Sequence, residues 1–263
     1  MRTLIRFFVL SFVLFWVAFG LVGLFIAVGA PSIVVEVWKV IMAWAPNVAF
    51  VLIYRRLGDS RPLSKYIAQL FAVRIRLVPL LTSVLLPLAV AAAVVGMLFA
   101  YRGTRGTEIL ANITLSGVMV QFLNMVPRGT LGEELGWRGY AFIELNKRYS
   151  ILGSSLILGL LWGVWHLPLW FLTSGYAGAE LALYILFFLV SIVSFSVVIG
   201  FVYQGRKGNL IYPIILHQML NFATALINAD ALTVMGLSSA LYLIITAIMA
   251  FTAPARRVNP DTA

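Results

Sequence analysis

Eight long apolar runs dominate this chain: 4–30, 33–53, 77–101, 108–127, 150–173, 181–203, 209–228 and 231–252. A bilayer core about 30 Å thick takes about 20 apolar residues to cross as a helix. Each run is of about that length. Lipid offers the backbone no hydrogen-bond partner, so each run must satisfy its own N–H and C=O groups as a helix. The expected fold is all-α: a polytopic membrane helix bundle of about eight transmembrane helices. Composition excludes the alternatives. Of 263 residues, 62% are hydrophobic and 11% are charged, against roughly 25% charged in a soluble domain. One soluble core of this size has no room for so much apolar side chain. A soluble enzyme, a disordered chain and a fibre are ruled out. The chain has no cysteine, which removes disulfides, thiolate metal sites and cysteine nucleophiles.

No internal repeat is visible, and no polar stretch is long enough to hold a soluble domain. The N-terminus has the basic start and small-residue ending of a signal peptide, Ala27-Val28-Gly29 imitating the cleavage site. Its apolar run exceeds the 7–15 residues of a signal core, so it reads as a retained first helix.

The chain carries a net charge of +10, which suggests nucleic acid until its placement is read. Sixteen of the nineteen Lys and Arg residues fall on one side of the eight-span arrangement, leaving Lys39, Arg102 and Arg105 on the other. Basic residues stay cytoplasmic, so both termini are expected in the cytoplasm and the protein in the cell membrane. The charge is a topology signal; no nucleic-acid partner is implied. The basic segment 55–76 reads as a short amphipathic helix on the anionic inner leaflet.

Ionisable residues at membrane depth are costly and need a reason. Glu36, Glu108, Glu180 and Asp230 sit near span ends, where an interfacial charge explains them. Glu133, Glu134 and Arg138 lie close together in Gly132-Glu133-Glu134-Leu135-Gly136-Trp137-Arg138. A structural account exists: Thr130 and Glu133 fit a helix capping box after Pro127, and Glu134 with Arg138 fits a surface ion pair. The two histidines weigh against it. His166 and His217 are the only ones in the chain and both interrupt apolar runs. Asn221 follows His217 by four residues, so both project from one helix face. Away from water, such hydrogen-bond donors act strongly on developing charge.

Taken together, Glu133-Glu134-x-x-x-Arg138, His166 after Gly-Leu-Leu-Trp-Gly-Val-Trp, and His217-x-x-x-Asn221 resemble the intramembrane CAAX-protease and bacteriocin-processing family (CPBP, or Abi), with its Rce1-like members. The resemblance covers about 105–228. It divides the chain into N-terminal transmembrane helices (1–104), a protease core (105–228), and a last helix with a cytoplasmic tail (229–263). The family pattern has Phe where this chain has Trp162. The resemblance implies an intramembrane endopeptidase that hydrolyses a peptide bond of a membrane-associated or lipidated protein. Glu133 would be the general base, His166 would help hold the water, and His217 and Asn221 would form the oxyanion hole. Arg138 would neutralise the glutamates and Glu134 would support them. Trp162 and Trp165 would contact substrate. The expected partners are membrane lipids and a protein or peptide substrate. No cofactor is favoured. Zinc is the alternative, held by Glu133, His166 and His217, although the histidines lack the short helical spacing of a strong zinc motif.

His-Glu-x-x-His, Gly-x-Gly-Asp and Gly-x-Ser-Gly are absent from the sequence, which excludes other intramembrane protease chemistries. Two further readings stay open: a catalytically silent scaffold of the same fold, binding or protecting a membrane partner, and a proton- or ion-coupled transporter.

Overall fold

The computed structural model describes residues 1–57, 60–102 and 114–252. Asp59, Arg105, Glu108, Arg256, Arg257 and Asp261, which enter the charge reading, lie outside the described residues.

Helices occupy most of the described part of the apolar runs: α1 (Arg2–Ala27), α2 (Ser32–Ala43), α3 (Ala45–Tyr54), α4 (Leu63–Ala72), α5 (Leu77–Arg102), α6 (Leu115–Met125), α7 (Leu131–Gly136), α8 (Ile143–Asn146), α9 (Ile151–Trp165), α10 (Leu167–Leu172), α11 (Gly178–Tyr203), α12 (Ile211–Ala225) and α13 (Ala231–Thr252). Among the described residues, α1, α5, α11 and α13 are long and apolar enough to cross a membrane. The run 33–53 adds a fifth crossing if its two halves, bent by 52°, count as one. The expected all-α membrane bundle is present, but these helices do not supply eight regular crossings. Runs 150–173 and 209–228 hold helices of 15 residues, and run 108–127 ends in one of 11. Runs 150–173 and 209–228 carry His166 and the His217–Asn221 pair, and the glutamates follow the short helix of run 108–127.

Local chemistry explains the breaks. Pro46 follows Ala45 at the bend between α2 and α3; it has no N–H, and its ring collides with the carbonyl of the preceding turn. Pro168 does the same just after His166, where α9 stops. The starts are capped: Thr114 and Ser150 each accept from the backbone N–H three residues on, and Asp230 accepts from Thr233 N.

α1 is apolar all round, as a membrane helix must be. Leu4, Phe7, Phe15 and Val22 face the bundle, while Ile5, Val9, Val13 and Val17 form an exposed stripe. Where helices meet closely, small residues allow it. A Cβ on Gly159 of α9 would lie 2.8 Å from both Ser196 Cβ and Val193 Cα of α11, and Ser196 donates to Ser155 O across the same seam. Thr246 ties α13 to α11 through Ser194 O.

The segment 55–76 does contain a short amphipathic helix, α4. Its apolar face is spent on the protein, however: Tyr66 and Leu70 are buried, and Tyr66 Oη donates to Gly139 O at 2.8 Å.

Candidate active site

From α6 to the end of α8 the backbone stays helical but slips register twice. Val126–Thr130 and Trp137–Phe142 are π-helical and flank α7, the six-residue helix that carries both glutamates. Pro127 accounts for the first slip, since it cannot complete an α-helical bond. Each π turn rotates the side chains that follow it relative to a regular helix.

α7 rests on the bend between α2 and α3 at backbone contact. A Cβ on Gly132 would lie 2.9 Å from Ala43 O, and one on Gly136 would lie 2.5 Å from Pro46 O. Only glycine permits this approach. Asn47 of α3 then holds α7 at both ends: Nδ2 donates to Leu131 O at 2.6 Å and Oδ1 accepts from Gly136 N at 2.9 Å. Trp44 Nε1 donates to Pro127 O at 2.9 Å. Arg128 reaches Glu36 of α2 at 2.7 Å.

Adjacent residues on a helix point about 100° apart, so the two glutamates enter different surroundings. Glu134 is fully buried. Its Oε1 accepts from Arg138 Nη1 at 3.0 Å and from His217 Nδ1 at 2.8 Å. Among the described residues, no cation is bonded to Glu133. Its Oε2 accepts from the neutral indole of Trp162 at 2.7 Å. Its Oε1 faces Gly129, where Asn221 Nδ2 also lies; a Cβ at 129 would meet them at 3.8 and 3.3 Å. Trp162 links the groups. Arg138 lies 4.2 Å above its ring, and the His217 ring packs edge-on against it at 5.0 Å.

His166 closes the end of α9, its Nδ1 2.7 Å from Trp162 O. A carbonyl only accepts, so Nδ1 carries the proton and Nε2 presents a lone pair. In His217, Glu134 engages Nδ1 and leaves Nε2 for other partners. A cavity of about 420 Å³ opens beside these groups. Trp162, His166, His217 and Asn221 line it, together with apolar side chains of α11, α12 and α13. Glu134 and Arg138 lie behind that wall, and Glu133 approaches it beside Asn221.

The structure thus brings Glu134, Arg138 and His217 into direct contact, and joins Glu133 to them through Trp162. Trp165 goes elsewhere. It packs on Phe15 at 3.8 Å and edge-on to Trp137, and its Nε1 donates to Ser11 O. It is 1% exposed and does not line the cavity. Three helical residues beyond Trp162, its ring is turned about 60° around the axis, into α1. The capping box is not formed either. Thr130 has helical backbone, and its hydroxyl donates to Gln218 Oε1. The Glu134–Arg138 pair exists but is buried, with side-chain exposures of 0% and 1%, not a solvated surface bridge.

Weighing ionisable groups in the sequence does not single out Asn47 or Gln218, nor the bond that Thr130 makes to Gln218. Gln218 Nε2 donates to Phe122 O at 2.8 Å and so fastens α12 to α6. The signal was there: an amide inside an apolar run faces the same desolvation argument as an ion, at smaller scale. Replacing Asn47 with Leu, which has the same branched heavy-atom skeleton but no polar atoms, is expected to leave Leu131 O and Gly136 N–H unsatisfied. Each costs about 1–3 kcal/mol when buried. The thermal midpoint should fall and turnover should drop at near-constant KM. An unchanged midpoint would mean that Asn47 does not hold α7.

The family resemblance raises the question of a metal. Among the described residues, no three His, Asp or Glu side chains gather closely enough to share an ion. Glu133 is bonded to an indole through Oε2, and His166 and His217 are each engaged through Nδ1, leaving Nε2 free. These are zinc-ligand types, but the described residues do not gather them into one closed ligand set.

Residues 115–223 match the model of a family described as Type II CAAX prenyl endopeptidase Rce1-like. The chain is 33% identical over 122 residues to CAAX prenyl protease 2 of Methanococcus maripaludis, the match covering 45% of each protein. The chain therefore aligns with less than half the length of that curated relative.

Proposed function

Because residues 115–223 match the Rce1-like family model, we propose that this multi-pass membrane protein is an intramembrane endopeptidase, using a glutamate-activated water on a membrane-associated or lipidated peptide. The observation that carries the reading is the division of labour between the adjacent glutamates. Glu134 holds both Arg138 and His217 through Oε1, while its Oε2 is buried without a partner. Glu133 keeps Oε1 turned toward Asn221. A base needs a carboxylate free of a cation next to where charge develops, and a support needs its charge balanced by one.

In the mechanism, water is held between Glu133 Oε1 and His166 Nε2, both of which accept. Glu133 takes a proton as the water oxygen attacks the scissile carbonyl carbon. The carbonyl oxygen gains charge and receives hydrogen bonds from Asn221 Nδ2 and, when its ring is doubly protonated, from His217 Nε2. Glu133 returns the proton to the leaving amine. Trp162 fixes the Glu133 rotamer, and Arg138 balances Glu134.

The test is cleavage by purified protein of a quenched fluorescent peptide ending in a farnesylated cysteine motif, beside its unlipidated twin. Cleavage that persists after chelation is expected. Loss on chelation with recovery on added zinc would overturn the metal-free mechanism, and no cleavage of either peptide would favour the silent scaffold. Both termini are proposed to be cytoplasmic, in the cell membrane. Since the chain has no cysteine, single cysteines report directly. A cysteine at Ala177 should react with an impermeant maleimide outside intact cells, and one at Tyr149 should not. The reverse pattern would invert the topology.

A further inference from the structure

Away from the motif residues, the cavity wall contains two hydroxyls that nothing satisfies. Tyr242 is 1% exposed, and its Oη has no hydrogen-bond partner; Ser191 Oγ is likewise buried and unpartnered. Both residues line the cavity. They belong to matching patterns on neighbouring helices. Ser191 and Phe195 are four apart on α11, and Ser238 and Tyr242 are four apart on α13. Each pair shares one helix face, and the Phe195 and Tyr242 rings meet edge-on at 5.3 Å.

Three other hydroxyls of these helices are spent on carbonyls: Ser196 on Ser155 O, Ser239 on Gly236 O, Thr246 on Ser194 O. Buried polar groups without partners are rare because desolvating them costs free energy. Two on one cavity wall indicate that the partner comes from outside the chain.

We propose that Ser191 and Tyr242 form a subsite for an uncharged hydrogen-bonding group, a backbone amide of the bound peptide. This rests on the reading of the cavity as a peptide site. Among the described residues no Lys, Arg, Asp or Glu lines the cavity, and the two histidines that do are assigned to the reacting bond, so a carboxylate or ammonium held at Ser191 and Tyr242 would be unpaired. A purely apolar tail would leave both hydroxyls unsatisfied. A hydroxyl donates and accepts, which matches a peptide unit offering one N–H and one C=O.

Helix geometry sets the reach. The His166 ring touches Phe188 at 5.3 Å. Ser191 lies three residues further along α11, and Phe195, against which Tyr242 packs, lies seven. At a rise of about 1.5 Å per residue these are roughly 5 and 10 Å from Phe188. An extended peptide advances about 3.3 Å per residue. The amide read by this subsite therefore lies about two or three residues from the bond that is cut.

Two arms test this. In zwitterionic-lipid nanodiscs, N-decylacetamide, decanoate and decyltrimethylammonium are titrated against the wild type, Tyr242→Phe and Ser191→Ala/Tyr242→Phe. The amide should raise the wild-type thermal midpoint, the two ions should not, and the double variant should lose the response. Without ligand, Tyr242→Phe should be at least as stable as the wild type, because it deletes an unsatisfied hydroxyl and keeps the ring. A drop in that midpoint, an equal amide response in all three proteins, or a preference for decanoate overturns the subsite.

The second arm uses peptides that the wild type cleaves. Tyr242→Phe should raise KM about tenfold with kcat unchanged. An ester in place of the amide two or three residues from the cut should remove that difference. A fall in kcat alone would contradict a role in binding. If the wild type cleaves nothing, the protease reading fails, while the first arm still decides the subsite.

Discussion

Glu133→Gln is expected to lower peptide turnover by about 10²–10⁴-fold, the usual worth of a positioned general base, without unfolding the protein. Glutamine has the same shape, and its Oε1 still accepts from Trp162 Nε1, the bond that Glu133 Oε2 makes at 2.7 Å. What disappears is the ability to take a proton. Expression, membrane insertion and thermal midpoint should stay near wild type while single-turnover cleavage collapses. Glu134→Gln should behave in the opposite way. It leaves Arg138, 1% exposed, as a buried cation whose ionic partner is gone, and it weakens the grip on His217 Nδ1. Its stability should fall clearly, and turnover should fall because His217 is no longer fixed. The comparison is made on one substrate with midpoints measured in parallel. If Glu133→Gln turns over near normally while Glu134→Gln is stable and dead, the roles of base and support are reversed.

This contrast was only partly legible in the sequence. Glu133, Glu134, Arg138, His166, His217 and Asn221 were all visible as polar residues in or beside apolar runs, because burying them needs a reason. That two adjacent glutamates would differ so sharply was not visible. The difference depends on the two π-helical slips around α7, and register slips of one residue leave little trace in hydrophobic periodicity when the segment is glycine-rich and buried on most sides. Glycines 132 and 136 could be read as loop-like; their actual reason, contact with Ala43 and Pro46, is a tertiary fact. Trp165 shows the opposite error. Beside His166 it looked like a substrate contact, but its direction follows from helix rotation toward Phe15. The all-helical fold was legible from apolar run length. The number of regular crossings was not, since runs holding Pro46, Pro127 and Pro168 bend or break where the polar groups sit.

Arg138→Ala is expected to produce the largest loss of stability. Its guanidinium is bonded to Glu134 at 3.0 Å and lies 4.2 Å above the Trp162 ring, so truncation removes an ion partner and a packing surface together. Breaking a buried pair on one side typically costs about 3–5 kcal/mol, because the remaining charge is left uncompensated. A marginally stable fold would lose much of its yield at that cost. The pair itself contributes far less than this loss suggests, since a neutral replacement of both partners is often tolerated. The double variant Arg138→Met/Glu134→Gln separates the two quantities. Methionine fills the volume over Trp162, and glutamine still accepts from His217 Nδ1. The double variant should therefore be more stable than either Arg138→Ala or Glu134→Gln. Its turnover should nevertheless stay low, because the fixed charges around His217 and Glu133 are gone. Midpoints and single-turnover rates of the wild type, Arg138→Met, Glu134→Gln and the double variant close the cycle. Strictly additive midpoints would mean that Arg138 and Glu134 do not depend on each other. Recovery of turnover along with stability would mean that the ion pair serves the fold alone, and that Glu133 works without it.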